Sequence, residues 1–391
     1  MSVSRLSGMS GIGVDRMGNL ADSSQDESIL RLENLDTDLR PPPGVVEATQ
    51  QVAALDSANS YLPFMGANDL RQAATDLVSR LTGLDYDWNR STIICAGGLN
   101  GILNVLLALL EPGDEVVMTD PIYVGLVNRV RLAGGVPVFV PYQIANGIWA
   151  FARDQVGGAV TSKTKVFLMM SPSMPGGGVF SREDWEAICL ACRKAGAWMV
   201  VDSAMERILF DSAEHNHPAS MPGMAERTIT VGAVSKEYRM IGWRVGWIVA
   251  PPEIINDIGL VNISNVVCPV GIAQAGATVA LRTPDSDVAA AVAEWQRRRD
   301  VMLEELDGLP VKLFEHHVKP LGGWSMLMDV SSLGLAGAEA SARLLERGKV
   351  AATAMTGWGS QRSDRFVRFV FSNEPVDRLR GLRGRLDVAL K

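Results

Sequence analysis

Ser235-Lys236-Glu237-Tyr238-Arg239-Met240-Ile241-Gly242-Trp243-Arg244-Val245-Gly246 is the stretch on which the reading of this chain turns. Apolar runs flank it, Thr228 to Val231 before and Val245 to Ala250 after, and both read as buried strands. A lysine just past a buried strand can occupy a low-dielectric strand end, where its pKa falls and the neutral amine can attack an aldehyde. Arg244 stands just before the second run, and a guanidinium fork suits a phosphate. A loop lysine on its own is ordinarily a solvated residue, so the reading depends on its surroundings.

Outward from this stretch the texture is α/β. Strand-like runs recur at Thr92 to Cys95, Glu115 to Met118, Val138 to Val140, Val166 to Met170 and Trp198 to Val201. Helical patterns separate most of them, as at Asn100 to Leu110, Ile122 to Ala133 and Arg182 to Ala195. Alternation of this kind implies a mostly parallel, seven-stranded sheet covered on both faces. Helices are also expected from Val45, after the Pro41-Pro42-Pro43 turn, and after Gly66. Beyond about residue 283 a long charged helix, Ser286 to Leu306, leads to strand candidates at Val311 to Phe314, Gly323 to Val330 and Phe366 to Phe371. The division expected is an arm (1–28), a large domain (45–283) and a smaller α+β domain (29–44 with 284–391). The arm is rich in Ser, Gly and Asp and is expected to be partly mobile or draped over a surface.

The 391 residues are 47% apolar and 21% charged, a globular profile, with a net charge of −7 that argues against general nucleic-acid or anionic-membrane binding. No continuous apolar leader and no long uncharged apolar run is present, so a signal peptide or membrane span is not expected. The four cysteines are too few for a disulfide scaffold. Cys189-x-x-Cys192 lies in a helical pattern and reads as buried thiols, no metal-ligand set is evident, and a cytoplasmic compartment fits.

Cys95-Ala96-Gly97-Gly98-Leu99-Asn100-Gly101 has the form strand, glycine turn, helix, which can cradle a phosphate and is equally common as a tight turn. Ser-Lys-(x)5-Gly-Trp-Arg-x-Gly resembles the lysine segment of class I/II aminotransferases, pyridoxal 5'-phosphate enzymes of fold type I. Other landmarks occur in family order: Tyr61 to Gly66, the turn Gly97 to Gly101, Pro112-Gly113-Asp114 followed by Asp120-Pro121-Ile122-Tyr123, Asp202 in Val200-Val201-Asp202, Pro320 to Trp324, and Arg368 in Phe366-Val367-Arg368-Phe369. The resemblance covers about residues 29 to 390.

The resemblance implies a role for each matched residue. Lys236 holds the cofactor as a Schiff base and acts as general base, and Asp202 pairs with the pyridine nitrogen. Tyr123 stacks on the ring. Gly98, Leu99, Asn100, Ser235 and Arg244 belong to the phosphate region. Arg368 grips the substrate α-carboxylate beside Leu35. Tyr61 reaches the phosphate of a neighbouring subunit, so a homodimer with shared sites is implied.

Three positions depart from the family pattern. Met174 and Met205 stand where the family has an Asn and a Tyr that donate to the cofactor O3′, and a thioether cannot donate. Leu35 replaces a family glycine. Near Ile263 to Pro269 no arginine is available to read an acidic side chain, so aspartate is a doubtful donor. Trp324, Trp358, Tyr123, Met174 and Leu35 suggest an apolar or aromatic pocket, while Asp36, Asp38 and Arg40 could reach a polar one. The function expected is amino transfer between an L-amino acid and a 2-oxo acid. A C–S β-lyase on the same scaffold is the alternative. A non-enzymatic regulator is disfavoured because only about 28 residues precede the matched region.

Overall fold

The structure is a computed structural model that describes residues 6, 9, 11–307, 309 and 318–391. The expected strand at Val311 to Phe314 lies outside the described residues.

The strands, in chain order, are β1 (Leu30–Arg31), β2 (Thr92–Cys95), β3 (Glu115–Asp120), β4 (Val136–Ala145), β5 (Ile148–Phe151), β6 (Thr164–Met170) and β7 (Trp198–Asp202). They continue with β8 (Thr228–Ala233), β9 (Gly246–Val249), β10 (Ser325–Asp329), β11 (Val350–Ala351), β12 (Thr353–Ala354) and β13 (Phe366–Val370). The main sheet has the order β2-β9-β8-β7-β6-β3-β4-β5. Its central pairings β8–β7–β6–β3–β4 are all parallel, and β9 and β5 run against them. The seven anticipated strands are present, and β5 adds an eighth. Its signal is the Asn146-Gly147 pair, whose two positive φ values (52° and 74°) close a two-residue hairpin from β4.

Apolar side chains alternate between the sheet faces. Val166, Leu168 and Val200 join one core with the helices Gly98–Leu109, Val124–Leu132 and Pro252–Asn265. Phe167, Met169 and Val201 join another with the helix Arg182–Ala195. A strand buried on both faces reads as an unbroken apolar run, which is why these strands were legible. Cys189 and Cys192 are buried in that last helix, where burial pushes both thiols up to about 12.

The long helix spans Asp285–Asp307. Trp295 packs edge-on against Trp324 at 5.0 Å and donates through Nε1 to Thr37 Oγ1 at 3.1 Å. In the run Arg297-Arg298-Arg299, Arg298 binds Asp38 (2.7 Å) and Arg299 binds Asp211 (2.6 Å). β10, β13 and β12 form a three-stranded antiparallel sheet, and β1 pairs in parallel with β11.

The described part of the N-terminal arm departs from expectation. Val14–Ser24 is a helix that buries Met17 and Ala21 against Ile29 and Ala351. The spacing 14, 17, 21 is one helical face, and it was obscured by the surrounding Ser, Gly and Asp residues. Among the described residues no helix is long and apolar enough to cross a membrane.

Candidate active site

The carboxyl ends of the parallel strands leave a crevice, as open α/β sheets do. A cavity of about 270 Å³ lies there. Met170 ends β6, Asp202 ends β7 and Ala233 ends β8, and all three line it together with Gly98 at the start of the helix after β2.

Lys236 enters three residues beyond β8. Its Nζ donates to the Leu35 carbonyl at 2.6 Å and lies 4.8 Å over the Trp324 ring. Burial pulls its pKa down to about 7, helped by the positive charges of Arg368 and Arg244 and opposed by Asp36 and Asp202. A lysine so placed is partly a free amine at neutral pH, the form that attacks a carbonyl.

Asp202 shows the converse. Burial raises its pKa to about 6, against the Ala204 N–H at 3.2 Å and the charges of Arg129 and Lys236. Arg129 escaped the sequence reading. It donates to the carbonyls of Leu99 (2.7 Å) and, in its own helix, Gly125 (2.8 Å), so its side chain ties the helix that follows Tyr123 to the start of the helix after the glycine turn. No local signal marks that role, which exists only through the fold.

The glycine turn and Arg244 meet at the other end of the cavity. Gly97 has a φ of 90°, and a Cβ there would lie 2.7 Å from Arg244 Nη2. A Cβ on Gly246 would lie 2.7 Å from the Gly98 nitrogen. Both glycines therefore let a guanidinium and a strand approach the start of the helix, whose first N–H groups have no intrahelical acceptor. Arg244 Nη1 also reaches Ser235 Oγ at 3.4 Å. Helix N-terminus, guanidinium and hydroxyl converge as an anion cup. Asn100 does not line the cavity: its Oδ1 accepts the Ala96 N–H (3.1 Å) and so braces the turn.

Arg368 stands on β13 and is 1% exposed. Nη2 donates to the Glu33 carbonyl at 2.5 Å, Nη1 lies 3.6 Å from Met174 Sδ, and Nε has no partner. The guanidinium sits 4.8 Å over Trp358, whose ring meets Tyr123 edge-on at 5.3 Å. Burial lowers the Arg368 pKa to about 10. A buried guanidinium with an orphaned Nε and only a thioether on Nη1 is a receptor lacking its anion.

Tyr123, Leu35, Met174 and Met205 line the same cavity. Tyr61 does not: it is 81% exposed and lies outside this wall. Asp38 is engaged by Arg298, and Arg40 gives its carbonyl to Arg239 (2.9 Å), so neither reaches the cavity. The arm supplies what the sequence reading missed, since Ile12, Val14 and Asp15 form part of the wall, with Asn34 and Ile241 beside them.

The model of the aminotransferase class I and II family matches residues 30–383. An arginine–pyruvate transaminase of Pseudomonas aeruginosa is 32% identical over 359 residues, covering 91% of this chain and 89% of that protein. An aspartate aminotransferase of Pyrococcus abyssi is 32% identical over 329 residues, covering 82% of each. Among solved structures, N-succinyldiaminopimelate aminotransferase from Mycobacterium tuberculosis superposes with a TM-score of 0.92 at 29% identity, covering 100% of both chains. Aspartate aminotransferase from Thermus thermophilus with maleate gives 0.89 at 29% identity, covering 99% of both.

Proposed function

We propose a division of labour in the cavity on the premise that the chain belongs to the class I and II aminotransferase family, whose members are pyridoxal-phosphate-dependent transferases moving an amino group between an amino acid and a 2-oxo acid. The C–S lyase and regulator readings are not favoured, because relatives matched along most of the chain are transaminases.

The residues present fit the cofactor. Asp202 is a buried carboxylate awaiting a cation, which a protonated pyridine nitrogen supplies. The cup at Gly98, Leu99, Ser235 and Arg244 awaits a phosphate, and Tyr123 offers a ring to stack on. Lys236 Nζ is the amine that would hold the cofactor covalently. When bound, pyridoxal phosphate supplies an electron sink for the pair left when a bond at the substrate Cα breaks. Lys236 Nζ, largely neutral above pH 7, takes the Cα proton as general base. Arg368 binds the α-carboxylate through a planar fork and orients the Cα–H bond. Burial under Trp324 and Trp358 keeps water from competing.

The charges in the wall support a substrate class. Lys236, Arg244 and Arg368 are committed to the amine, the phosphate and the α-carboxylate, so among the described residues lining the cavity no cation remains for an acidic side chain. Ile12, Val14, Leu35, Met174 and Ile241 make an apolar wall that ends at Asp15. Asp15 is near enough to Tyr123 for its charge to help raise the phenol pKa, an effect led by burial. A donor with an apolar stem and a cationic end fits, in keeping with the arginine–pyruvate transaminase among the relatives.

A homodimer completes the site. Leu55, Tyr61, Phe64, Val267 and Val270 are large exposed apolar residues, and the segment holding Tyr61 packs on the helix Gly271–Leu281 beside Val270. Large exposed apolar residues in two segments that meet at Gly271 support an interface there. Tyr61 would then serve the partner's phosphate, and a cytoplasmic location fits the four free cysteines.

The observation that carries the reading is the convergence of Lys236, Asp202, Arg244 and Arg368 on one cavity. Borohydride treatment of the yellow holoenzyme followed by peptide mapping tests it. The adduct should map to Lys236, and Lys236→Ala should abolish transamination; an adduct on another lysine would overturn the assignment.

A further inference from the structure

A second cavity, of about 330 Å³, shares no lining residue with the first and takes no part in the chemistry above. One wall is Asp120-Pro121 at the end of β3, and another is the β4–β5 hairpin with Ile144 and Trp149. The turn Gln361–Arg365 and Phe366 form a third.

Its charges are of both signs and incompletely paired. Asp120 is 5% exposed, and its carboxylate accepts only from Ser360, from the N–H at 3.2 Å and the hydroxyl at 2.6 Å, with no cation among the described residues. The guanidinium of Arg362 has neither an ion pair nor a hydrogen bond among the described residues. Its backbone N–H is bonded to the same Ser360 hydroxyl (3.3 Å), and Asp120 and Arg362 both line the cavity. The remaining pair, Asp329 and Arg365, is closed on itself at 3.2 Å. The ring of Trp149 packs edge-on against Phe366 at 5.8 Å, and its buried Nε1 lacks an acceptor.

A buried carboxylate without a cation and an exposed guanidinium without an anion line one cavity over an aromatic shelf, which matches one ligand chemistry. We propose that this cavity binds a free α-amino acid as its zwitterion, with the ammonium on Asp120, the carboxylate on Arg362 and an apolar or aromatic side chain against Trp149, Ile144 and Phe366. Both charges of such a ligand are met, whereas a simple acid would leave the buried Asp120 without a cation and a simple amine would forgo the contact with Arg362. The site is wired to the active site. Asp120 leads directly to Tyr123, and the Ile122 N–H donates to the Trp358 carbonyl at 2.8 Å. Trp358 in turn faces both Tyr123 and Arg368. An amino acid held here is distinct from the reacting amino acid.

Equilibrium dialysis of borohydride-reduced holoenzyme reads this site without turnover, whichever lysine carries the cofactor. With L-phenylalanine as probe, the wild-type protein should bind one equivalent per chain in the millimolar range or tighter. Arg362→Gln, a change at an exposed side chain, should weaken binding by about tenfold or more, and Asp120→Asn should do the same. 3-Phenylpropionate and 2-phenylethylamine should each bind about tenfold more weakly than the amino acid. Three results would overturn the proposal: no binding to the wild type, binding unmoved by Arg362→Gln but lost in Arg368→Ala, or an acid that binds as well as the zwitterion. The second of these would place the probe in the first cavity and leave the assignment of Lys236 untouched.

Discussion

Replacing Arg368 puts the largest demand on the proposed site. Its guanidinium is held rigidly by the Glu33 carbonyl and the Trp358 face, while Nε has no partner and Nη1 meets only the Met174 thioether, so the planar fork can take a ligand. A carboxylate on that fork gains two charge-assisted hydrogen bonds in a dry site, each worth about 1.5–3 kcal/mol. Arg368→Ala should therefore cost about 3–5 kcal/mol of transition-state stabilisation, roughly a 10²–10⁴-fold fall in kcat/KM for an amino acid. The truncation also takes one of two donors from the Glu33 carbonyl, which keeps the Thr353 hydroxyl at 3.1 Å, and Arg368→Lys belongs beside it as the variant that keeps a cation but not the fork. The assay is the single-turnover spectral change of the holoenzyme with an amino acid and with the corresponding amine that lacks the carboxylate. The amine should react at nearly the same rate in wild type and variants. Equal losses for amine and amino acid would remove Arg368 from carboxylate binding and leave it a structural residue.

Lys236 has an ordinary value of 10.5 pulled down to about 7, so its free-amine fraction rises as pH climbs through about 7. Uptake of pyridoxal phosphate by the apoenzyme should accelerate across that window and level off above it, as followed by stopped-flow absorbance; a rise that continues toward pH 10 would contradict a desolvated lysine. Mixing Tyr61→Phe chains with Lys236→Ala chains should partly restore activity, because one site of each mixed dimer then carries neither lesion, and verified subunit exchange without recovery argues against a shared site. Asp15→Asn should lower kcat/KM for a cationic donor such as arginine by about 3–30-fold and leave an uncharged donor of similar length unchanged, since one partly exposed ion pair is lost. An equal effect on both donors would mean that Asp15 only shapes the entrance.

Much of this molecule was legible as local pattern. The strands β3, β6, β7 and β8 are continuous apolar runs because both faces are buried, and that constraint is written into consecutive residues. Lys236, Arg244 and the Gly97-Gly98 turn announced themselves for the same reason, each sitting in a short segment whose residue types need one another. The eighth strand was also within reach, since Asn146-Gly147 is a hairpin signal.

Other features arise only when distant segments meet. Asp202, Lys236 and Arg368 share one wall because the parallel sheet aligns its carboxyl ends and β13 is brought over them. No periodicity relates residues so far apart in sequence. The arm shows the limit most clearly. Met17 and Ala21 supply too little apolar surface to specify a packed helix by themselves, yet Ile29 and Ala351 cover them, and Asp15 of the same helix lines the cavity. Arg129 is one more charged residue on a helix until the fold sets the Leu99 carbonyl against it. The unpaired charges of Asp120 and Arg362 likewise become a cavity only where the ends of β3 and β13 converge. Composition and spacing determine which segments become strands, turns and helices, because those choices depend on neighbours within a few residues. Burial, which sets the protonation of Lys236 and Asp202 and leaves Arg368 short of a partner, is a property of the assembled chain, and only the tertiary structure decided it.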